Sequence, residues 1–172
     1  MLGNSIYRSL FGRIHVGWCP LAAAAGLALA SVAPTQAAAD EIVVVIRQVR
    51  ALDKIDQASP ADFMVRVTID GAQQTSPVIK DQDVIRPNWT LRRQVEPGAH
   101  ELKVELFDKD VIATDAIDIN RLADKRDLDF SVDTRSCVIT GFSTPYRCGS
   151  LITRAGNERK RAAIAFTVTA TR

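Results

Sequence analysis

Apolar side chains recur at every second position in one segment after another, and that period of two points this chain towards an all-β fold. Phe63, Val65, Val67 and Ile69 alternate with other side chains, as do Leu102, Val104 and Leu106 and, near the end, Ile164, Phe166 and Val168. Successive side chains of a strand point to opposite faces, so each pattern describes a half-buried strand with one face on a core. Residues 42–50 open on a continuous apolar run, and 128–132 and 137–139 are further β-rich segments. Asp70-Gly71, Glu96-Pro97-Gly98 and Ser59-Pro60 break the pattern with turn chemistry. The spacing predicts an antiparallel β-sandwich of about eight strands. One short helical candidate lies at 120–125.

The first 39 residues stand outside this pattern. Arg8 and Arg13 give a basic start, Leu21 to Val32 is apolar and alanine-rich, and Ala37-Ala38-Ala39 sets small residues before Asp40. That arrangement predicts a secretory signal peptide over 1–39, removed on export to a periplasmic or secreted location. The apolar run is shorter than the roughly 20 residues of a membrane-spanning helix. Cys19 precedes the apolar core, so it is not placed for lipid attachment. Residues 40–172 then form one domain, a length that can bury a useful core. Of 22 basic residues, Arg8 and Arg13 fall in the signal, while all 20 acidic residues lie beyond it, so the mature chain is formally neutral. A neutral chain lacks the broad positive field of a nucleic-acid binder. Cys137 and Cys148 remain after cleavage, and in an oxidising compartment a pair of thiols is expected to form a disulfide.

Aspartates gather behind two of the strand-like runs. Asp56 and Asp62 follow the run Ile42 to Ile46, and Asp108, Asp110 and Asp115 follow Leu102 to Phe107. If the strands bring both groups to one edge of a sandwich, like charges meet there and either repel or take up protons. A hard divalent cation relieves that repulsion. Calcium accepts six to eight oxygen ligands at roughly 2.3–2.6 Å in irregular geometry, which suits carboxylates on two loops. The bland alternative is that Asp favours turns through bonds to its own backbone.

The order of these elements resembles the C2 domain, the calcium-dependent phospholipid-binding module of protein kinase C and the synaptotagmins. The likeness runs from about Glu41 to Asn120 and rests on three stretches in sequence. They are Leu52 and Asp56 followed by Ala61-Asp62-Phe63-Met64-Val65-Arg66-Val67, then Thr75 with Arg86-Pro87-Asn88-Trp89, and then Leu102-Lys103-Val104-Glu105-Leu106-Phe107-Asp108-Lys109-Asp110. The resemblance implies that Asp56 and Asp62 are first-loop calcium ligands, with Asp53 as alternate for the first position. It implies that Asp108, Asp110 and Asp115 are third-loop ligands. The implied partner is a phospholipid membrane surface or an envelope protein, met by a monomer. Departures from the family pattern are Phe63-Met64 in place of Pro-Tyr, the Pro-Asn-Trp order, and Asp115 one residue early.

Val111 and Ile112 stand between Asp110 and Asp115. At an exposed tip they would enter a membrane interface and contribute roughly 1.5–3 kcal/mol each if fully buried; folded back, they belong to the core. Arg66, Arg92, Arg93 and Lys103 offer a basic face on the strands, or simply a solvated one. Residues 134–161 have no counterpart in the family and read as a disulfide-pinned excursion that ends in the basic run Arg159-Lys160-Arg161. Catalysis is poorly furnished. His100 is the one histidine beyond the signal, Ser143 in Gly141-Phe142-Ser143-Thr144 is not a nucleophile elbow, and no His-Glu-x-x-His or phosphate loop occurs. Three readings follow: a calcium-responsive exported binding module, a metal-free interaction module of the cell envelope, and a small hydrolase that uses paired carboxylates.

Overall fold

Alternation becomes strand pairing in the computed structural model of the protein, which describes residues 39–55, 59–110 and 114–171. These fall in one compact unit, Gln36–Arg172. The predicted signal peptide lies outside the described residues apart from Ala39. Among the described residues there is no helix. The strands are β1 (Asp40–Ala51), β2 (Phe63–Ile69), β3 (Ala72–Thr75), β4 (Val84–Ile85), β5 (Trp89–Val95), β6 (Ala99–Lys109), β7 (Thr114–Ile117), β8 (Leu128–Asp133), β9 (Val138–Thr140), β10 (Tyr146–Arg147), β11 (Leu151–Ala155) and β12 (Ala162–Thr171).

They form two antiparallel sheets, which face each other as a sandwich. In the five-stranded sheet the order is β11-β12-β1, with β4 and β5 both on the far side of β1. In the seven-stranded sheet the order is β10-β9-β8-β6-β2-β3, and β7 also pairs with β6. Strand β6 is the spine of this sheet. Its first half, Ala99–Val104, pairs with β8 and its second half, Leu106–Lys109, with β7. Strand β2 lies along β6 in register from Phe63↔Asp108 to Ile69↔Leu102.

The inward faces of the two sheets supply the core. Ile42, Val44 and Ile46 of β1 and Ile164, Phe166 and Val168 of β12 come from one sheet; Phe63, Val65 and Val67 of β2 and Leu102, Val104 and Leu106 of β6 come from the other. Each such side chain contributes about 1.5–3 kcal/mol by leaving water. The long β1 keeps its inward face across an irregularity: the register shifts between Ile46 and Gln48, so that Ile46 and Val49, three positions apart, are both buried. Asp70-Gly71 makes the two-residue turn between β2 and β3 with φ of +45° and +77°. Left-handed backbone at both central positions is what matches such a turn to the twist of the strands.

The structure has twelve strands where the periodicity predicts about eight. The additional ones are short: β4 and β10 have two residues each and β3 has four, too few for alternation to register. Residues 120–125 form a turn instead of the predicted helix. The Asn120 side chain accepts the Leu122 N–H at 3.0 Å, and Asp118 accepts the Asn120 N–H at 2.9 Å. These Asx-type bonds hold the backbone in a turn, and six residues cannot repay helix nucleation without packing.

The predicted excursion at 134–161 contributes to both sheets. Strands β9 and β10 extend one sheet and β11 joins the other. Cys137 and Cys148 form the expected disulfide at the crossing, with Cα atoms 5.2 Å apart, and the Cys148 N–H donates to the Cys137 carbonyl at 3.0 Å.

Candidate functional site

Pairing of β2 with β6 decides where the acidic residues meet. Phe63 lies opposite Asp108, so Asp62, one residue earlier, stands at the mouth of the same strand pair. The Asp62 N–H donates to the Asp108 Oδ1 at 2.7 Å, and the Asp62 carbonyl accepts the Lys109 N–H at 2.9 Å. On the other edge of β6, Asp115 of β7 is the register partner of Asp108. Asp62, just before β2, Asp108 of β6 and Asp115 of β7 therefore lie at one end of the sheet. Asp108 is buried, while Asp62, Asp110 and Asp115 are half-buried. Asp56, Val111 and Ile112 lie outside the described residues.

A third loop reaches this rim, and the sequence pattern did not announce it. The Asp62 Oδ1 accepts the N–H of Asp81 at 2.9 Å, and the Ala51 N–H donates to the Asp83 carbonyl at 2.8 Å. Asp81 and Asp83 are both exposed, and Asp81 takes a left-handed φ of +52°. The available signal was the Asp-Gln-Asp spacing, the same one-residue gap that drew attention to Asp108 and Asp110.

Two of the candidate ligands already face cations of this chain. The Lys160 ammonium bonds the Asp115 carboxylate. Arg161 Nε donates to the Asp53 Oδ1 at 2.7 Å, and the Arg161 backbone N–H reaches the Asp53 Oδ2 at 3.3 Å. That side-chain hydrogen bond from Arg161, opposed by partial desolvation, holds the Asp53 carboxyl below its ordinary range. Lys160 and Arg161 of the basic run thus turn onto the acidic rim.

Asp118 is what turns it, and the sequence offered no local sign of this role. Its side chain is fully buried, with Oδ1 on the Asn120 N–H at 2.9 Å and Oδ2 on the N–H groups of Asn157 and Glu158 at 2.8 and 2.7 Å. Its backbone N–H donates to the Lys160 carbonyl at 2.8 Å, and its carbonyl accepts the Ala162 N–H at 2.8 Å. Gly156 lies so close that a Cβ there would stand 2.2 Å from the Asp118 carbonyl oxygen. A buried side chain whose oxygens accept several amide protons has its hydrogen bonding satisfied, and here it clamps 156–162 beside the rim.

As a metal centre, the rim fits in chemistry and falls short in convergence. Carboxylate oxygens suit a hard cation such as calcium. Among the described residues, however, no three acidic, His or Cys side chains are grouped so as to hold one. Asp110 has no hydrogen-bond or ion-pair partner among the described residues, whereas Asp115 and Asp53 have the basic partners above.

The four strand cations do not form a free basic face. Arg66 faces Glu105 at 3.6 Å, Arg92 faces Glu41 at 3.9 Å, and Lys103 faces Asp127 at 2.8 Å and Asp129 at 3.6 Å. The hydrogen bond to Asp127 holds the Lys103 ammonium above its ordinary range despite some desolvation. Arg93 is committed to the backbone carbonyls of Ile69 and Asp70. At the end of β6 remote from the rim, His100 Nδ1 lies 2.6 Å from the Asp70 Oδ2 and Nε2 lies 2.7 Å from the Glu96 carbonyl. Both ring nitrogens are thus engaged by acceptors that fix the ring.

No protein-family model matches the chain, and no curated protein matches it. Solved structures do. A C2 domain is similar at a TM-score of 0.54 and 12% identity, over 77% of this chain and 99% of that one. A calcium-bound structure of the paired C2 domains of extended synaptotagmin 2 is similar at a TM-score of 0.52 and 15% identity, over 76% of this chain. Human GIVD cytosolic phospholipase A2 is similar at a TM-score of 0.51 and 14% identity, over 77% of this chain. The chain spans 45% of the extended synaptotagmin 2 chain and 16% of the phospholipase chain. At these identities the likeness is one of fold, and the fold of this chain is that of C2 domains.

Proposed function

We propose that this chain is an exported module that docks reversibly on a phospholipid membrane surface, or on an envelope partner, through the loops at its acidic rim. The Asp62–Asp108 contact carries this reading, because it sets the loops after β1 and β6 side by side at one end of a C2-like sandwich. Asp56, Asp62, Asp108 and Asp110 would hold calcium there, with Asp115 joining on release from Lys160 and Asp53 the alternate for Asp56. Asp81 and Asp83 add negative charge from the neighbouring loop. Bound calcium supplies positive charge to the rim and coordination positions for an anionic headgroup. Val111 and Ile112 are the apolar pair that would enter the interface.

Isothermal titration with calcium tests the ligand set. Heat is expected from the native chain and none from Asp108→Asn combined with Asp110→Asn; equal heat from both rejects these ligands. Co-sedimentation with phosphatidylglycerol vesicles, with calcium and with chelator, tests the docking.

A metal-free form of the same docking is favoured by one observation. Lys160 and Arg161 place two cations against Asp115 and Asp53, so the rim is partly neutralised from within the chain. Melting in millimolar calcium against chelator separates the two forms, since a ligand that binds only the folded state raises its stability. A higher melting temperature supports the calcium form, and coincident curves support the metal-free one.

A further inference from the structure

A cleft of about 430 Å³ that shares no lining residue with the rim lies between the 120–128 turn, the loop after β9, and β11. Its floor is Phe142, which ring contacts connect to the core. The Phe130 ring centroid stands 5.8 Å from that of Phe166 and 5.2 Å from that of Phe142, and Tyr146 meets Phe142 edge-on at 5.6 Å. Over this floor lies the guanidinium of Arg154, 4.3 Å from the Phe142 ring centroid and 5.4 Å from that of Tyr146. Arg154 Nη1 donates to the Tyr146 hydroxyl at 3.2 Å and to the Thr153 carbonyl at 2.9 Å.

Arg154 differs from the cations described above. Arg66, Lys103, Lys160 and Arg161 each face a carboxylate, whereas among the described residues Arg154 has none. Stacking fixes its plane and Nη1 is occupied, which leaves Nε and Nη2 of the fork available among the described residues. A guanidinium held flat on aromatic rings is preorganised to bind an oxyanion through two parallel N–H groups. Arg121 and Lys125 line the same cleft, and its one acid, Asp129, is shared between Lys125 at 3.5 Å and Lys103 at 3.6 Å. Three cations and one carboxylate leave a local excess of positive charge in residues 40–172, whose formal charges sum to zero. A phosphate group, which carries up to two negative charges at neutral pH and several acceptor oxygens, matches both the excess and the fork.

We propose that this cleft binds a phosphate group, with Arg154 as the fork and Arg121 and Lys125 as flanking charges. Two sources present that chemistry, a free phosphate and a phospholipid headgroup. Leu122 beside the cleft is 63% exposed and would meet the acyl region in the lipid case.

The test uses the purified chain in chelator, which removes calcium-dependent docking at the acidic rim; metal-free docking there would survive Arg154→Gln and is separated by that variant. Chemical shifts are followed on titration with inorganic phosphate, and sedimentation is followed with phosphatidylcholine vesicles with and without phosphatidic acid. Phosphate is expected to shift the amides of 120–128 and 141–143. Arg154→Gln should weaken binding by about tenfold or more, the loss expected for hydrogen bonds to a charged group. Arg121→Gln, an exposed change that leaves the stack intact, should weaken it by a few-fold, again as for a flanking charge. Binding to phosphatidic acid vesicles that phosphatidylcholine does not support assigns the lipid source; binding of inorganic phosphate alone assigns the soluble one. Absence of both, or undiminished affinity in folded Arg154→Gln and in Arg121→Gln, overturns the proposal.

Discussion

Asp108 and Asp118 are both buried aspartates close to a strand end, and they are held by opposite means. The Asp118 carboxylate accepts three backbone N–H groups, two of them from a loop about 40 positions further on. Asp108 accepts the N–H of Asp62, itself an acidic residue, and lies opposite Asp115 across the strand pair. Like charges directly opposite on a sheet are destabilising, so the Asp108–Asp115 pairing favours a cation such as Lys160 beside it, while the Asp118 carboxylate is held by backbone donors. The one builds the scaffold; the other collects charge at an edge. Asp118→Ala should therefore cost more stability than Gly156→Ala, Asp70→Asn or Lys160→Gln, about 3–5 kcal/mol, because it leaves three amides without their acceptor. Urea denaturation measures it. A loss as large from Asp108→Ala would erase the distinction.

Gly156 sharpens the same contrast from the other side. A methyl group at this position meets the Asp118 carbonyl oxygen at 2.2 Å, so Gly156→Ala must push the loop outward. A loss of about 1–3 kcal/mol is expected, as for overpacking in a tight contact. The same shift should carry Lys160 and Arg161 away from Asp115 and Asp53. Calcium titration of this variant reads out that second effect, and unchanged calcium response beside lost stability would detach the loop from the rim.

The two neighbourhoods were not equally legible in the sequence. Strands β2, β6 and β12 are long and alternate strictly, so Phe63, Leu106 and Phe166 declared their faces, and the approach of Asp62 to Asp108 follows once β2 and β6 pair. Asp81 and Asp83 follow β3, whose four residues are mostly exposed and polar and carry no periodic signal. Lys160 and Arg161 meet partners 45 and 108 positions away in the chain. Such pairings depend on Asp118, whose sequence neighbours Ile117 and Ile119 look like any strand. The helix expected at 120–125 is replaced by a turn that Asp118 and Asn120 hold through Asx-type bonds.

At the far end of β6, Asp70 offers a comparison in pH. Burial raises its pKa, but the hydrogen bonds from His100 and from the Glu101 N–H outweigh burial and hold its carboxyl below the ordinary 3.8. A carboxyl depressed on folding adds stability above its unfolded pKa, and that stability is lost as pH falls through the lower folded value. Asp70→Asn should thus cost about 1 kcal/mol at neutral pH, after allowance for solvent screening. The gap between variant and native melting temperatures should close as pH drops below 3.8. A gap that persists in acid would assign the loss to packing.

Lys160→Gln is expected to have the smallest effect on stability and to divide the two forms of docking. The Lys160–Asp115 pair is partly exposed, with 37% and 45% of the side-chain surfaces in solvent, and such pairs contribute between roughly 0 and 1 kcal/mol. Removing the ammonium nevertheless leaves Asp115, directly opposite Asp108, without its cationic partner. If the rim takes calcium, Lys160 competes with the ion, and the variant should bind it several-fold more tightly by titration calorimetry. If the rim is balanced from within, the variant should gain no calcium affinity and should lose vesicle binding through uncompensated repulsion from anionic lipid. Lys160→Arg, which keeps the charge, should behave as the native chain in either case, so a change there would mean that the geometry of the loop, and not its charge, sets the behaviour of the rim.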